Sequence, residues 1–154
     1  MPGATGGRCR SFFATSTSSS TSTIRWAIAG GDAILKQFGV RLQECLRRGV
    51  DWVARLGGEE FAVILPETAY DQALDAARRL RAGIADRPFP VQSNMIEVTA
   101  SFGMCNLDQV PLGERKTADH MLRVADAALY RSKYGGRNRV TAALLPMTSV
   151  RATP

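Results

Sequence analysis

The chain has 154 residues, of which 45% are hydrophobic and 22% charged. This is ordinary globular composition at the length of one domain, so a collagen-like or wholly disordered chain is excluded, and no apolar run approaches the ~18 residues of a membrane-spanning helix. The 20 Lys and Arg against 14 Asp and Glu give a net charge of +6, which favours an anionic partner. Three scattered cysteines and one histidine, His120, match no metal-binding spacing, which predicts a reduced, cytoplasmic compartment and no zinc site.

The first 29 residues differ from the rest of the chain. They contain no acidic residue, and positions 15–23 are nine consecutive Ser and Thr residues. Such a run has no apolar face to bury, so residues 1–29 are predicted to be a disordered or aberrant segment. The folded domain is expected over 30–145, truncated at its start, with a frayed tail at 146–154.

The first predicted elements are a helix and a hairpin. Apolar residues at three- and four-residue spacing predict a helix over Asp32–Arg48, ended by Gly49. Its inward positions are Leu35, Phe38, Leu42 and Leu46. Two strand-like runs follow, at 51–56 and 61–65, joined by Gly-Gly-Glu-Glu.

The second half of the chain predicts an α/β arrangement. Thr68 and Asp71 resemble a capping box before a helix that ends at Arg87-Pro88. Its buried face is Ala73, Ala76, Ala77, Leu80 and Ile84. Alternation predicts a strand over 96–104 with one buried face, and a last helix over 117–134 has Leu122, Ala125, Ala128 and Leu129 inward. A short strand is predicted around 139–143.

The hairpin turn has the composition of a ligand site. Gly57 and Gly58 let a backbone approach a bulky anion, because no Cβ intervenes. Glu59 and Glu60 repel each other unless a hard cation such as Mg²⁺ lies between them. The alternative is an ordinary solvated turn.

Five segments in order resemble the GGDEF family, the diguanylate cyclases. The turn and its flanks, Arg55–Pro66, are similar to the family signature, and the likeness extends over residues 30–141. The other matching segments are Gly31-Asp32, Val98–Gly103, Ala125–Lys133 and Gly136–Val140.

The resemblance implies a fold, a reaction and a cofactor. The fold is an α/β, palm-like domain similar to nucleotidyl cyclases, with a mainly antiparallel sheet flanked by helices. Members condense two GTP molecules into cyclic di-GMP and pyrophosphate, with Mg²⁺ or Mn²⁺, between two facing domains. A homodimer is therefore implied, with no nucleic-acid partner.

The resemblance also assigns residue roles. Glu59 would bind the metal ion, and Glu60 would assist at the metal or at the attacking hydroxyl. Asp32 would accept from guanine. Gly57 and Gly58 would let the phosphates approach, and Lys133 and Arg137, taken as one helical turn apart, would hold the β- and γ-phosphates. The alternative for the two cations is a solvated helix end, where positive charge is favourable.

A second motif resembles the family's product-inhibition site. Arg48 and Asp51 form an RxxD sequence five residues before Gly57, and Arg79 matches an arginine that some members add. An arginine fork binds guanine or phosphate, and a carboxylate accepts from guanine. The alternative is a helix-end arginine paired with a nearby aspartate.

The first strand departs from the family pattern. The family's Asp-x-Asp and its guanine-binding Asn fall at about Thr15 and Thr23, so the first strand is predicted to be defective. Codons can be chosen for residues 14–28 that, read two bases along, encode Asp-Ile-Asp. The same shifted frame then encodes the family's Phe-Lys-x-x-Asn-Asp and Gly-His. We therefore hypothesise that the segment up to about Ala29 is an out-of-frame translation of the family's first strand and loop. The alternative is that this segment is a true upstream exon or a linker. Sequencing the gene distinguishes the two.

These observations predict weak or absent turnover, because one metal carboxylate and one guanine contact are missing. A second hypothesis is a non-catalytic receptor for cyclic di-GMP that uses the RxxD site. A third, a basic nucleic-acid-binding protein, lacks an aromatic stacking platform.

Overall fold

The structure, a computed structural model, describes residues 9–19, 31–107 and 117–144, the first range as backbone only. Its elements in chain order are β1 Cys9–Ser19, α1 Gly31–Glu44, β2 Trp52–Gly57, β3 Glu60–Pro66, α2 Tyr70–Ala85, β4 Phe89–Val91, β5 Asn94–Ile96, β6 Val98–Asn106, α3 Ala118–Tyr134 and β7 Val140–Ala142. The predicted tail at 146–154 lies outside the described residues. No helix in the described ranges is long and apolar enough to span a membrane.

Five strands form one sheet in the order β2-β3-β1-β6-β7. All neighbours are antiparallel except β6 and β7. The mainly antiparallel sheet flanked by helices is therefore confirmed. A separate hairpin of β4 and β5, which the sequence analysis did not predict, follows α2.

Helices cover both faces of the sheet. Phe61, Val63 and Leu65 pack in one core cluster with residues of α1 and α2. Ala62, between them in sequence, packs with residues of α3 in a second cluster, because successive strand residues point to opposite faces. Gly103 of β6 lets α3 approach closely: a Cβ there would lie 2.1 Å from the carbonyl oxygen of Ala125. This contact fixes the position of α3 on the sheet.

The N-terminal segment contributes the central strand. Residues Cys9–Ser19 pair with β3 on one side and with β6 on the other. The expectation of disorder is wrong for these residues, because a ladder needs only backbone groups and threonine favours extended chain. Residues 1–8 and 20–29 lie outside the described residues. Any defect in this strand is thus one of side-chain chemistry, not of backbone pairing.

Two predictions about helix ends need correction. Helix α1 ends at Glu44, not at Arg48, because turn hydrogen bonds at Cys45 and Leu46 lead into a loop held by Arg47. Helix α2 begins after Ala69, and Thr68 does not cap it. The Thr68 hydroxyl instead accepts from Arg47 and donates to Pro66.

Strand β6 is buried on both faces. Ala100, Phe102 and Met104 lie in the cluster beneath α1 and α2, and Ser101 and Cys105 are also buried. The predicted single buried face is wrong, because α3 covers the face on which the polar and small residues lie.

Candidate functional site

The Gly-Gly-Glu-Glu turn joins β2 to β3 at an open end of the sheet. Gly57 pairs with Glu60, so Gly58 and Glu59 form a two-residue turn. Gly58 has φ 51°, a left-handed conformation that a residue with a Cβ adopts only with strain, and nothing lies within 4 Å of where its Cβ would be. The turn therefore presents exposed backbone that a bulky anion can approach.

Arg55 connects this turn to Asp32. Its Nε donates to the carbonyl oxygen of Gly58 at 2.9 Å, and its Nη1 lies 3.6 Å from Oδ1 of Asp32. No sequence pattern assigned a role to Arg55, although its position two residues before the first glycine was a usable signal. The arginine holds the predicted guanine-binding residue beside the predicted phosphate-binding turn.

Asp32 lies in the first turn of α1 as an exposed carboxylate. Lys36 pairs with it at 3.0 Å. A hydrogen bond from Lys36 and its positive charge, assisted by Arg55, hold the pKa of Asp32 below its ordinary value. The group is thus a permanent acceptor near neutral pH, which suits the N–H donors of a guanine edge.

The strand opposite Glu60 supplies no carboxylate. Ser16 is the register partner of Glu60 in β3 and of Ser101 in β6, whereas Thr15 is opposite Phe61. Position counting and strand register therefore differ by one residue. The buried Ser101 hydroxyl has no hydrogen-bond partner within the described ranges. Neither Thr15 nor Ser16 is a carboxylate, so β1 supplies no acid beside Glu60.

This donor set does not complete a Mg²⁺ site. Mg²⁺ prefers carboxylate oxygens together with water. Within the described part of the chain, no group of three or more His, Cys, Asp and Glu side chains could hold a metal ion. Glu59 and Glu60 supply one side of the site that the family pattern implies, and β1, which has no acidic residue, does not supply the other.

Helix α3 brings a third carboxyl group towards the turn. Burial raises the pKa of Asp126, the negative charge of Glu60 raises it further, and Lys133 lowers it. Lys133 lies in the last turn of the same helix. Glu60 lies two residues before Ala62 of β3, and Ala62 packs with residues of α3, so Glu60 lies on the face of the sheet that this helix covers.

Lys133 and Arg137 are not one turn apart on a helix. Helix α3 ends at Tyr134 with Gly135 as its cap, so Arg137 lies beyond the helix, where its φ is 58°. Lys133 is half-buried and Arg137 is exposed. Neither has an ion-pair partner in the described ranges, which leaves both available to an anion.

The RxxD motif has an unexpected internal pairing. Arg47, not Arg48, binds Asp51: its Nη2 is 2.6 Å from Oδ1, and its backbone N–H donates to Oδ2 at 2.8 Å. Asp51 and Arg79 line one cavity of about 450 Å³, together with Cys45. Arg48 is exposed and does not line this cavity. The structure brings together two of the three predicted product-binding residues.

Comparison with known proteins identifies the domain. The family described as "Diguanylate cyclase, GGDEF domain" matches residues 25–139. The response regulator PleD of Caulobacter vibrioides is 39% identical over 112 residues, which are 71% of this chain and 24% of PleD. The chain thus spans about a quarter of that relative.

Solved structures agree with this assignment. The GGDEF domain of DgcB from Caulobacter crescentus, solved with c-di-GMP, has a TM-score of 0.70 at 27% identity, covering 86% of this chain and 78% of that one. The active GGEEF domain of a diguanylate cyclase from Vibrio cholerae has a TM-score of 0.66 at 25% identity, covering 89% of this chain and 85% of that one. The chain belongs to the GGDEF family, and its fold is the palm-like α/β fold of these domains.

Proposed function

We propose that this chain is a diguanylate cyclase-type domain that binds GTP but condenses two GTP molecules into cyclic di-GMP and pyrophosphate only weakly or not at all. One observation supports this most. The Arg55 contacts join the Gly-Gly-Glu-Glu turn to Asp32, whereas the register partner of Glu60 is a serine.

The retained residues are suited to binding the nucleotide. Asp32 accepts hydrogen bonds from the N–H groups of guanine. The turn at Gly58 lets the phosphates come close to the backbone. Lys133 and Arg137 neutralise the terminal phosphates. Charge-assisted contacts of this kind are the stronger class of hydrogen bond, so binding is expected to persist without the missing acid.

The cofactor in this proposal is Mg²⁺ or Mn²⁺, held by Glu59 with Glu60 beside it. Such a cation would neutralise phosphate charge and favour deprotonation of the attacking 3′-hydroxyl. Because the described donors do not complete the site, no reaction step is assigned through it. Each ~1.4 kcal/mol added to the barrier slows turnover tenfold, so a lost metal ligand is expected to reduce the rate by orders of magnitude.

The reaction also requires two domains. Each would hold one GTP, and the hydroxyl of one nucleotide would attack the α-phosphate of the other, so catalysis needs a homodimer. We place this activity in the cytoplasm, where GTP is available and where thiols such as Cys45 and Cys105 stay reduced.

A turnover assay tests this function. Pyrophosphate release from GTP and Mg²⁺ is measured for the chain and for two variants, Thr15→Asp at the counted position and Ser16→Asp at the register position. We expect a rate near background for the chain and a gain of at least tenfold in one variant. Adding Glu59→Gln to that variant should abolish the gain.

Two results contradict the proposal. Steady turnover by the unmodified chain would show that its site is not impaired. Failure of both variants, with GTP binding intact, would show that the missing carboxylate is not the cause.

The second candidate is a receptor for cyclic di-GMP. The cavity lined by Asp51 and Arg79 favours it, because this pocket needs none of the metal-site residues. Calorimetric titration with cyclic di-GMP tests it: binding that is lost in Arg48→Ala and Arg79→Ala, without GTP turnover, supports the receptor. Absence of binding contradicts it.

A further inference from the structure

The turn after α3 has an unusual backbone. Three consecutive residues have positive φ angles: Gly136 at 111°, Arg137 at 58° and Asn138 at 44°. Glycine adopts such angles freely and asparagine tolerates them, but arginine adopts them at a cost. A strained arginine of this kind persists only where its surroundings hold it.

Both ends of this turn are tied to β6 near Phe102. The N–H of Arg137 donates to the carbonyl oxygen of Ser132 at 3.0 Å, and the Ser132 hydroxyl lies 2.7 Å from the carbonyl oxygen of Phe102. The N–H of Phe102 in turn donates to the carbonyl oxygen of Arg139 at 2.8 Å. These bonds fix the ends of the turn and the backbone N–H of Arg137, and Nε of Arg139 donates to the carbonyl oxygen of Arg137 at 3.3 Å, but none of them involves the side chain of Asn138.

A side chain from another helix contacts the middle of the turn. Arg81 of α2 donates from Nη1 to Oδ1 of Asn138 at 3.1 Å, across 57 positions in the sequence. Both side chains are partly buried. Arg81 has no carboxylate partner within the described ranges, so a full positive charge is directed at one neutral amide.

We propose that Arg81 is a positioning residue that holds Arg137 ready for phosphate by fixing the neighbouring Asn138. This inference rests on the proposed function, in which Arg137 binds the terminal phosphates of GTP. Arg81 does not touch the nucleotide in this proposal and acts only by holding the turn that contains Arg137. Its loss should therefore weaken the contact with the terminal phosphates and leave guanine binding unchanged.

The test measures the dissociation constants of GTP and of GMP by calorimetry on the full chain. Arg81→Met should weaken GTP binding about tenfold, as expected for the loss of one hydrogen bond to a charged group, and should leave GMP binding unchanged. Arg81→Lys, which keeps the positive charge, should weaken GTP binding less than Arg81→Met does. Arg78→Met is the matched control, because Arg78 lies on the same helix and, among the residues that the structure describes, pairs only with the exposed Asp75.

A second route does not depend on the stability of α2. Asn138→Gly keeps the left-handed backbone but removes the acceptor, and it should give the same GTP-specific loss as Arg81→Met. In a chain already carrying Arg137→Ala, neither change should weaken GTP binding further, because the positioned group is gone.

The outcomes separate the two proposals. If Arg137→Ala weakens GTP binding but Arg81→Met and Asn138→Gly do not, or if they weaken GTP and GMP equally, the positioning role is wrong. If Arg137→Ala itself has no effect, or if the chain binds GTP no more tightly than GMP, the phosphate-binding role in the proposed function fails first.

Discussion

Replacing Asp51 by alanine is expected to destabilise the fold, whereas replacing Arg48 is not. Asp51 is nearly buried, with 4% of its side chain exposed, and it receives hydrogen bonds from the guanidinium and the backbone N–H of Arg47. Arg47 also donates to the Pro66 carbonyl and to the Thr68 hydroxyl. The aspartate thus anchors the loop between α1 and β2 to the end of β3. Arg48 is exposed and has no ion-pair partner in the described ranges.

The magnitude follows from the exposure of the two partners. Breaking a fully buried ion pair costs about 3–5 kcal/mol, and an exposed pair contributes about 0–1 kcal/mol. Here Asp51 is buried but the Arg47 side chain is 52% exposed, so water partly solvates the arginine left behind. We expect the free energy of unfolding to fall by about 2 kcal/mol in Asp51→Ala, which lowers the melting temperature by about 6 °C.

Urea denaturation and thermal melting measure this difference. Asp75→Ala is the matched control, because its pair with Arg78 is 63–65% exposed and should contribute less than about 0.5 kcal/mol. A change below about 0.5 kcal/mol in Asp51→Ala would refute the reasoning. Cyclic di-GMP binding is accordingly better tested at Arg48 and Arg79, since loss of binding in Asp51→Ala could reflect a disturbed fold.

Two further predictions concern packing and pH. Gly103→Ala should destabilise the protein by about 3 kcal/mol in urea denaturation, because its Cβ would lie 2.1 and 2.2 Å from backbone atoms of Ala125 and Leu129. Gly39→Ala in α1 should be neutral or stabilising by up to about 1 kcal/mol, since its nearest contact is an ordinary 3.5 Å, and an equal loss in both variants would contradict the argument. The pKa of Asp126 in the folded state lies above its ordinary value of 3.8. Between 3.8 and the folded pKa, the folded state therefore binds more protons at this carboxyl group than the unfolded state does. The free energy of unfolding consequently falls as pH rises through this range. Asp126→Asn should therefore be more stable than the unmodified chain at pH 7 but not at pH 3, and the same difference at both pH values would refute the assignment.

Much of the site could be predicted because its residues form a contiguous motif. The residues from Arg55 to Pro66 predict a hairpin from local composition, since glycine permits the tight turn and the continuous apolar run Phe61–Leu65 is typical of a buried strand. The helices followed from apolar spacing in the same way. Family resemblance then supplied roles for Asp32, Lys133 and Arg137 that no local pattern could supply.

The failures share one cause, which is that contacts between distant segments lie outside local patterns. A serine and threonine run has no amphipathic pattern, yet residues 9–19 become the central strand because strands on both sides offer their backbone groups. Thr68 has the sequence of a helix cap, but Arg47 competes for its hydroxyl.

The sequence by itself determined the family, the Gly-Gly-Glu-Glu turn that we propose as the phosphate site, and the absence of acids from the segment before Asp32, because these depend only on the identity and spacing of neighbouring residues. Tertiary structure alone decided which arginine binds Asp51, how Arg55 links the turn to Asp32, and how Arg81 reaches Asn138. Such pairings depend on where strands and helices lie in space. A guanidinium bonds the acceptor that packing brings within about 3 Å, regardless of their separation along the chain.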